Sequence, residues 1–276
     1  MSVKRPFPLR TLSLLLACAA FLWLTPLLWM FSASVSPDSF SPSMASLLPR
    51  RPLTLDTLSQ AWDSADWLRL YANTLIFALG TFLVQLITIT TAGYVFAYHD
   101  FRGKSLLFYL LLIQLMIMPV MLMVPNMMTL HQLGLLNTLT GAMMPYFASA
   151  FGVFLMRQAF LNIPRELEDA ALMEGSRWWQ VVAYVLLPMT RPALMAFAAV
   201  TITYHWNEFL WPLMVLNDPD KQVLTVGLAS FAMGAESGGQ WGMICAGSLM
   251  VCLPLMAAFI LCQKHFLSGF GFSGIK

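Results

Sequence analysis

Residues 73–97 read NTLIFALGTFLVQLITITTAGYVFA, a stretch without one charged side chain, and its character decides the fold class. As a helix rising 1.5 Å per residue it is about 37 Å long, enough to cross the roughly 30 Å hydrocarbon layer of a bilayer. Apolar and polar positions do not alternate along it, which argues against a lipid-facing β-strand. Five further apolar stretches lie at 11–31, 105–125, 138–156, 192–214 and 242–262. Backbone groups in lipid must be satisfied within their own segment, so these stretches read as helices. The expectation is an all-α membrane protein, with six transmembrane helices in a single domain over 1–276.

Composition points the same way. Hydrophobic residues make up 59% of the chain and charged residues 10%, against roughly 45–50% and 25% in soluble domains. A net charge of +2 without a run of like charge gives no argument for nucleic acid. Membrane lipid is the expected surrounding. Cys18, Cys245, Cys252 and Cys262 all sit in apolar stretches without metal-type spacing, and read as small core residues.

The first stretch follows Lys4, Arg5 and Arg10, and Leu15-Leu16-Ala17-Cys18 has some likeness to a lipoprotein cleavage box. Its apolar run continues well past Cys18, longer than the usual 7–15 residues of a signal peptide. An uncleaved first helix is expected. With the N-terminus in the cytoplasm, eleven Lys and Arg fall inside and four (Arg50, Arg51, Arg69 and Lys221) outside. That asymmetry predicts both termini cytoplasmic. Segments 32–72, rich in proline, and 217–241, rich in Gly and Asp, are then outer loops, and 157–191 is an inner one.

The inner loop is the most informative. Pro164 suits the first turn of a helix, and Glu166, Glu168 and Asp169 follow where the helix dipole favours anions. The helix continues through Ala170, Ala171 and Met173 and stops at Gly175. Ser176 is placed to cap a second short helix with Trp178, Trp179 and Val182, which Pro188 ends. A short acidic, alanine-rich helix is unstable alone and needs a partner groove. Helices that rest on membranes usually carry Lys and Arg instead.

Asp169-Ala170-Ala171, three residues, Gly175, nine residues, then Val185-Leu186-Leu187-Pro188 resembles the EAA loop of permease subunits of binding-protein-dependent ABC importers. Pro164-Arg165-Glu166-Leu167-Glu168 matches the flank. Asn73-Thr74-Leu75, Tyr94-Val95-Phe96-Ala97, Phe101-Arg102-Gly103-Lys104, Trp206-Asn207-Glu208-Phe209-Leu210-Trp211-Pro212 and the tail at 269–276 are similar to carbohydrate permeases of the maltose and glycerol-phosphate type. Before Asn73 the likeness narrows to Leu48-Pro49 and Leu53-Thr54-Leu55.

The resemblance implies a bacterial inner-membrane subunit with no cofactor of its own, working with a second permease subunit, an ATPase dimer that holds ATP-Mg, and an external solute-binding protein. It also implies a cytoplasmic EAA coupling loop that docks on the ATPase through Glu166, Glu168, Asp169, Ala170, Ala171, Glu174 and Gly175. Asp169 stands where the family usually has Glu and is one methylene shorter. Glu166 or Glu168 is then the residue with the longer reach. The 217–241 loop is expected to face the binding protein, and the C-terminal tail the ATPases.

Within the spans the one acidic residue is Glu208, close to His205. Intramembrane charge is costly, about 2.5–3.5 kcal/mol on insertion scales, and marks a functional candidate. Thr201, Tyr204, His205, Glu208 and Trp211 recur at helical spacing and are expected on one face. Tyr204, His205, Asn207 and Glu208 are the candidate solute pathway, an aromatic and polar set suited to sugars. The competing reading makes Glu208 interfacial and the tryptophans belt anchors. Pro26, Pro119, Pro125, Pro145, Pro212 and Pro254 are candidate kink sites.

Gly103-Lys104-Ser105 ends like a phosphate-binding loop, but Tyr98 stands where that loop needs Gly. The four histidines lack metal-type pairing, and no catalytic constellation points to an enzyme. An ion-coupled secondary carrier is the alternative function, a class that places coordinating groups near the midplane of broken helices.

Overall fold

A computed structural model of the chain describes residues 9–36, 53–237 and 240–271. Lys4, Arg5, the prolines of 37–52 and the end of the tail at 272–276 lie outside the described residues, as do the side chains of Arg10 and Cys262. Every regular element among the described residues is helical. In order they are α1 (Leu9–Ser34), α2 (Asp56–Asp63), α3 (Trp67–Tyr98), α4 (Lys104–Gln114), α5 (Pro119–Gln132), α6 (Leu139–Met143), α7 (Ala150–Leu161) and α8 (Arg165–Met173). Then come α9 (Trp178–Gln180), α10 (Leu187–Met189), α11 (Arg191–Asn207), α12 (Leu210–Val215), α13 (Leu224–Ser237) and α14 (Trp241–Gly271).

The described residues divide into two compact units, those within 67–227 and 255–271 forming one and those within 9–66 and 228–254 the other. In the larger unit α3 is the central helix and packs most extensively on α7 and α11. Small residues allow that closeness, as is usual between membrane helices. A Cβ on Gly152 of α7 would stand 2.6 Å from Ile89 and 2.7 Å from Phe197.

Two apolar cores lie along α3. One gathers Ile89, Tyr94 and Ala97 with Met156, Phe160, Val181, Leu186 and Phe197. The other gathers Phe77 with Leu130, Met143, Trp211, Val215 and Val226. In the smaller unit the end of α1 packs on α14, where Ala33 and Cys245 share a cluster with Trp29 and Met30. There the Thr57 hydroxyl donates to the Ser36 carbonyl, joining α2 to the chain that leaves α1.

Among the described residues two helices, Leu12–Ser34 and Trp67–Tyr98, are each long and apolar enough to cross a membrane, and up to five spans result if each bent pair counts as one. The expected stretch 105–125 is not one straight helix, because α4 and α5 meet at 101°. Met118, before Pro119, is extended with ψ of 129°, as the proline ring disfavours a helical residue ahead of it. The stretch 138–156 bends by 50° after Tyr146. Prolines 26, 125 and 254 lie inside α1, α5 and α14. The expected loop 217–241 is largely the helix α13, whose run of small residues hid its period in the sequence.

Apolar side chains remain exposed along α1 (Leu14, Phe21, Trp23) and the α4–α5 arm (Leu106, Ile113, Met116, Met121). Lipid or a partner subunit is the surface such side chains require. Cys18 is exposed on α1, contrary to the core role expected of it, whereas Cys245 is buried.

Candidate functional site

The 162–190 segment is built from strong local signals. Pro164 is the N-cap residue of α8, and Glu166 and Glu168 occupy its first turn. Gly175 stands at φ of 85°, a left-handed conformation that costs any residue with a Cβ. Ser176 N–H donates to the Ala171 carbonyl at 3.1 Å and Gly175 N–H to Leu172 at 3.0 Å. Those two bonds are the Schellman termination of a helix. The next helix is capped at Arg177, not at the expected Ser176: the Gln180 side chain accepts from Arg177 N–H at 2.8 Å. A wide-turn π segment, Val181–Leu186, follows. Pro188 sits within α10, and the chain turns by 83° at Thr190 into α11.

This segment is fastened to the end of α3. Glu168 is only 7% exposed and accepts a 2.5 Å hydrogen bond from the Tyr94 hydroxyl. The Trp178 ring stacks on Tyr94 with centroids 6.5 Å apart. Arg157 Nε donates to the Phe96 carbonyl at 3.2 Å and Arg165 Nη2 to the Ala97 carbonyl at 3.3 Å. Those carbonyls belong to the last turn of α3, where intrahelical donors run out and the helix dipole favours cations. Tyr98 adds a 3.0 Å bond to the Phe160 carbonyl. Nearby, the Lys104 ammonium 3.0 Å from Asp100 holds that carboxyl below its usual range.

The expected docking residues therefore divide. Glu168 is turned inward, and Ala171 is half-buried against the core around Tyr94. Glu166, Asp169, Ala170, Glu174 and Gly175 are exposed. Met173, at 88% exposed, projects among them. Of the two longer carboxylates, Glu166 is the one left free to reach outward.

The candidate pathway residues divide as well. His205 is 2% exposed, boxed by Phe77, Tyr146 and Tyr204 at centroid distances of 5.5, 4.7 and 5.2 Å. Thr201 donates to Gln85 Oε1 at 3.0 Å. The expected single face through Trp211 is broken, because α11 ends at Asn207 and Glu208 is extended with ψ of 128°. Pro212 has no N–H for the Glu208 carbonyl four residues back, and the Thr225 hydroxyl donates to it at 2.6 Å. Trp211, restarted in α12, donates its indole N–H to the Ala142 carbonyl at 2.8 Å. The break leaves Tyr204, Asn207 and Glu208 with Thr203, Phe209 and Leu210 around an open recess of about 470 Å³.

Sequence reasoning missed the polar anchors on α3. Gln85 Nε2 donates to the Tyr146 carbonyl at 2.6 Å, and Thr88 to the Phe147 carbonyl at 2.7 Å. Those acceptors are exposed by the 50° break, so Gln85 links α3, the break and α11. Asn73 Nδ2 donates to the carbonyls of Asp220 (3.0 Å) and Gln222 (2.9 Å). Arg69 pairs with Asp220, and the Thr74 hydroxyl accepts from Leu224 N–H at 2.7 Å. An amide inside an otherwise apolar stretch was the signal available for Gln85 and Asn73.

Residues 89–263 match the family described as binding-protein-dependent transport system inner membrane component. The chain is 32% identical over 263 residues to the arabinooligosaccharides transport system permease protein AraQ of Halalkalibacterium halodurans, covering 94% of each. It is 31% identical over 255 residues to the lactose transport system permease protein LacG of Rhizobium radiobacter, covering 92% of each. Its fold is similar to a chain in the crystal structure of a bacterial ABC transporter involved in the import of the acidic polysaccharide alginate. There the TM-score is 0.81 at 23% identity, covering 95% of this chain and 99% of that one. An ion-coupled carrier, the alternative that the residues left open, is thereby set aside. A match over well more than half of its length, on a fold fastened around the same loop that first suggested it, places the chain in the family of inner-membrane components of binding-protein-dependent ABC importers.

Proposed function

We propose that this chain forms half of the translocation pathway of an ATP-driven importer for a sugar or sugar-like solute, with α8 and the Gly175 turn docked in a cleft of an ATPase subunit. The observation that carries this reading is the division of α8. Glu168 and Ala171 hold the helix from behind, and Glu166, Asp169, Ala170, Glu174 and Gly175 form an exposed, mostly acidic surface. Ala170 allows close backbone approach, and the carboxylates offer partners for basic residues. ATP-Mg then belongs to the partner ATPase dimer.

A second permease subunit covers part of the exposed apolar flank, and an external solute-binding protein delivers at the end of α3 held by Asn73 and Asp220. The α4–α5 and α6–α7 pairs each cross as one span, α11 with α12 is the fifth, α14 supplies the sixth, and both termini lie in the cytoplasm. Support for a carbohydrate comes from the names of the relatives and from the aromatic and amide lining beside Glu208. The test is purification of the chain from mild detergent with its co-expressed partners. An ATPase subunit and a second permease should accompany it, and Ala170→Trp should lose the ATPase while keeping the permease. A chain that purifies alone, or an Ala170→Trp variant that keeps its full complement of ATPase, would overturn the docking.

A further inference from the structure

The recess at the α11 break holds one formal charge. Of its six lining residues Glu208 is the only ionisable carboxylate, and neither Lys nor Arg is among them. Glu208 does not form an ion pair among the described salt bridges, which are Arg69–Asp220, Lys104–Asp100 and Lys221–Asp218. Tyr204, one turn back on α11, lines the recess beside it. The Glu208 backbone is fixed from behind by the Thr225 hydroxyl. The rest of the lining is an amide (Asn207), a hydroxyl (Thr203), two aromatic rings (Tyr204, Phe209) and Leu210.

We infer that this recess is a solute subsite selective by charge: it takes uncharged or amino-bearing sugars and rejects anionic ones such as uronates and phosphate esters. The inference rests on the pathway reading above. An ionised carboxylate is an acceptor only, with about four lone-pair positions, so it suits the hydroxyl donors of a neutral sugar. Hydrogen bonds to a charged acceptor are roughly twice as strong as neutral ones. An aromatic ring beside it offers a face for the apolar side of a pyranose. A second carboxylate or phosphate brought within about 4–6 Å meets like-charge repulsion without a cation to offset it. The element that repels the wrong solute is thus built into the same residue that binds the right one, as selective sites commonly are.

The charge selectivity is read without knowing the solute. The assembled importer, with Asn207→Cys or Thr203→Cys in this chain and its own cysteines replaced, is treated with methanethiosulfonate reagents. One reagent carries a cationic and the other an anionic headgroup, and rates are normalised to those with a free thiol. Both introduced thiols should react, with the cation favoured about tenfold, an energy of about 1.4 kcal/mol. Adding Glu208→Gln should bring the ratio to about one. If the thiols react without charge preference, or the preference survives Glu208→Gln, the selectivity is wrong and the pathway reading stands. If neither thiol reacts in any nucleotide state of the importer, the recess is not on an aqueous route and both readings fall. The reagents distinguish these outcomes even where one cysteine variant fails to assemble, because Thr203 and Asn207 line the same recess.

Discussion

The Tyr94 hydroxyl donates a 2.5 Å hydrogen bond to the carboxylate of Glu168, joining the long helix α3 to the short helix α8. The bond is buried, and seventy-four positions of sequence separate its ends. Arg165, the first residue of α8, reinforces it on the carbonyl of Ala97, while Arg157 of α7 holds the carbonyl of Phe96. The two helices are therefore held together by directed bonds as well as packing.

Replacing Tyr94 with Phe removes the only described donor to Glu168 and leaves that carboxylate buried. An unmet buried polar group costs roughly 1–3 kcal/mol, more when charged. The expected outcome is an importer that binds its ATPase normally but moves less solute per ATP hydrolysed. Measuring solute uptake and phosphate release in the same proteoliposomes checks it. An unchanged ratio would remove Tyr94 from the coupling.

Gly175 is left-handed, with open space where a Cβ would stand. The cost of Gly175→Ala is then conformational, about 1 kcal/mol. Asn enters that region more readily than a β-branched residue does. Uptake should fall in the order Gly, Asn, Ala, Val, and a bulky residue such as Trp should abolish it while membrane insertion stays normal. Quantitative blots of the membrane fraction beside uptake rates test the order.

Gln85 serves three elements at once, through the Tyr146 carbonyl and the Thr201 hydroxyl. Gln85→Leu strands both inside the membrane domain. A loss of about 1–3 kcal/mol is expected, read as a lower midpoint of thermal unfolding in detergent. Gln85→Leu together with Thr201→Val should lose less than the two single losses added, because the pair shares one bond.

At the other end of α3, Asn73 and Arg69 both reach the 218–222 turn, but with unequal weight. Asn73 is 8% exposed and holds two carbonyls, whereas the Arg69–Asp220 pair is exposed on both sides. Exposed ion pairs contribute about 0–1 kcal/mol. Limited proteolysis should therefore cut the turn faster in Asn73→Ala and little faster in Arg69→Ala. Equal cutting of the two variants would contradict this ranking.

Much of the molecule was legible before any coordinates. The apolar stretches at 11–31 and 73–97 announce α1 and α3, because lipid as solvent demands long uninterrupted runs. The Pro164–Gly175 signals place both ends of α8, since N-caps and left-handed glycine stops are local chemistry. Proline also warned of the break at 118–119, though its 101° angle was not readable.

The sequence by itself determined the class, the long helices α1 and α3 and the terminator of α8, because solvent preference and backbone sterics act within a few residues. Only the tertiary structure decided which carboxylate of α8 faces inward, that His205 leaves the recess its neighbours line, and that Gln85 and Asn73 serve as anchors. Each of those depends on a partner some sixty to one hundred and fifty positions away. Helical period alone gives the face on which a residue lies, whereas burial and hydrogen bonding depend on what packs against that face.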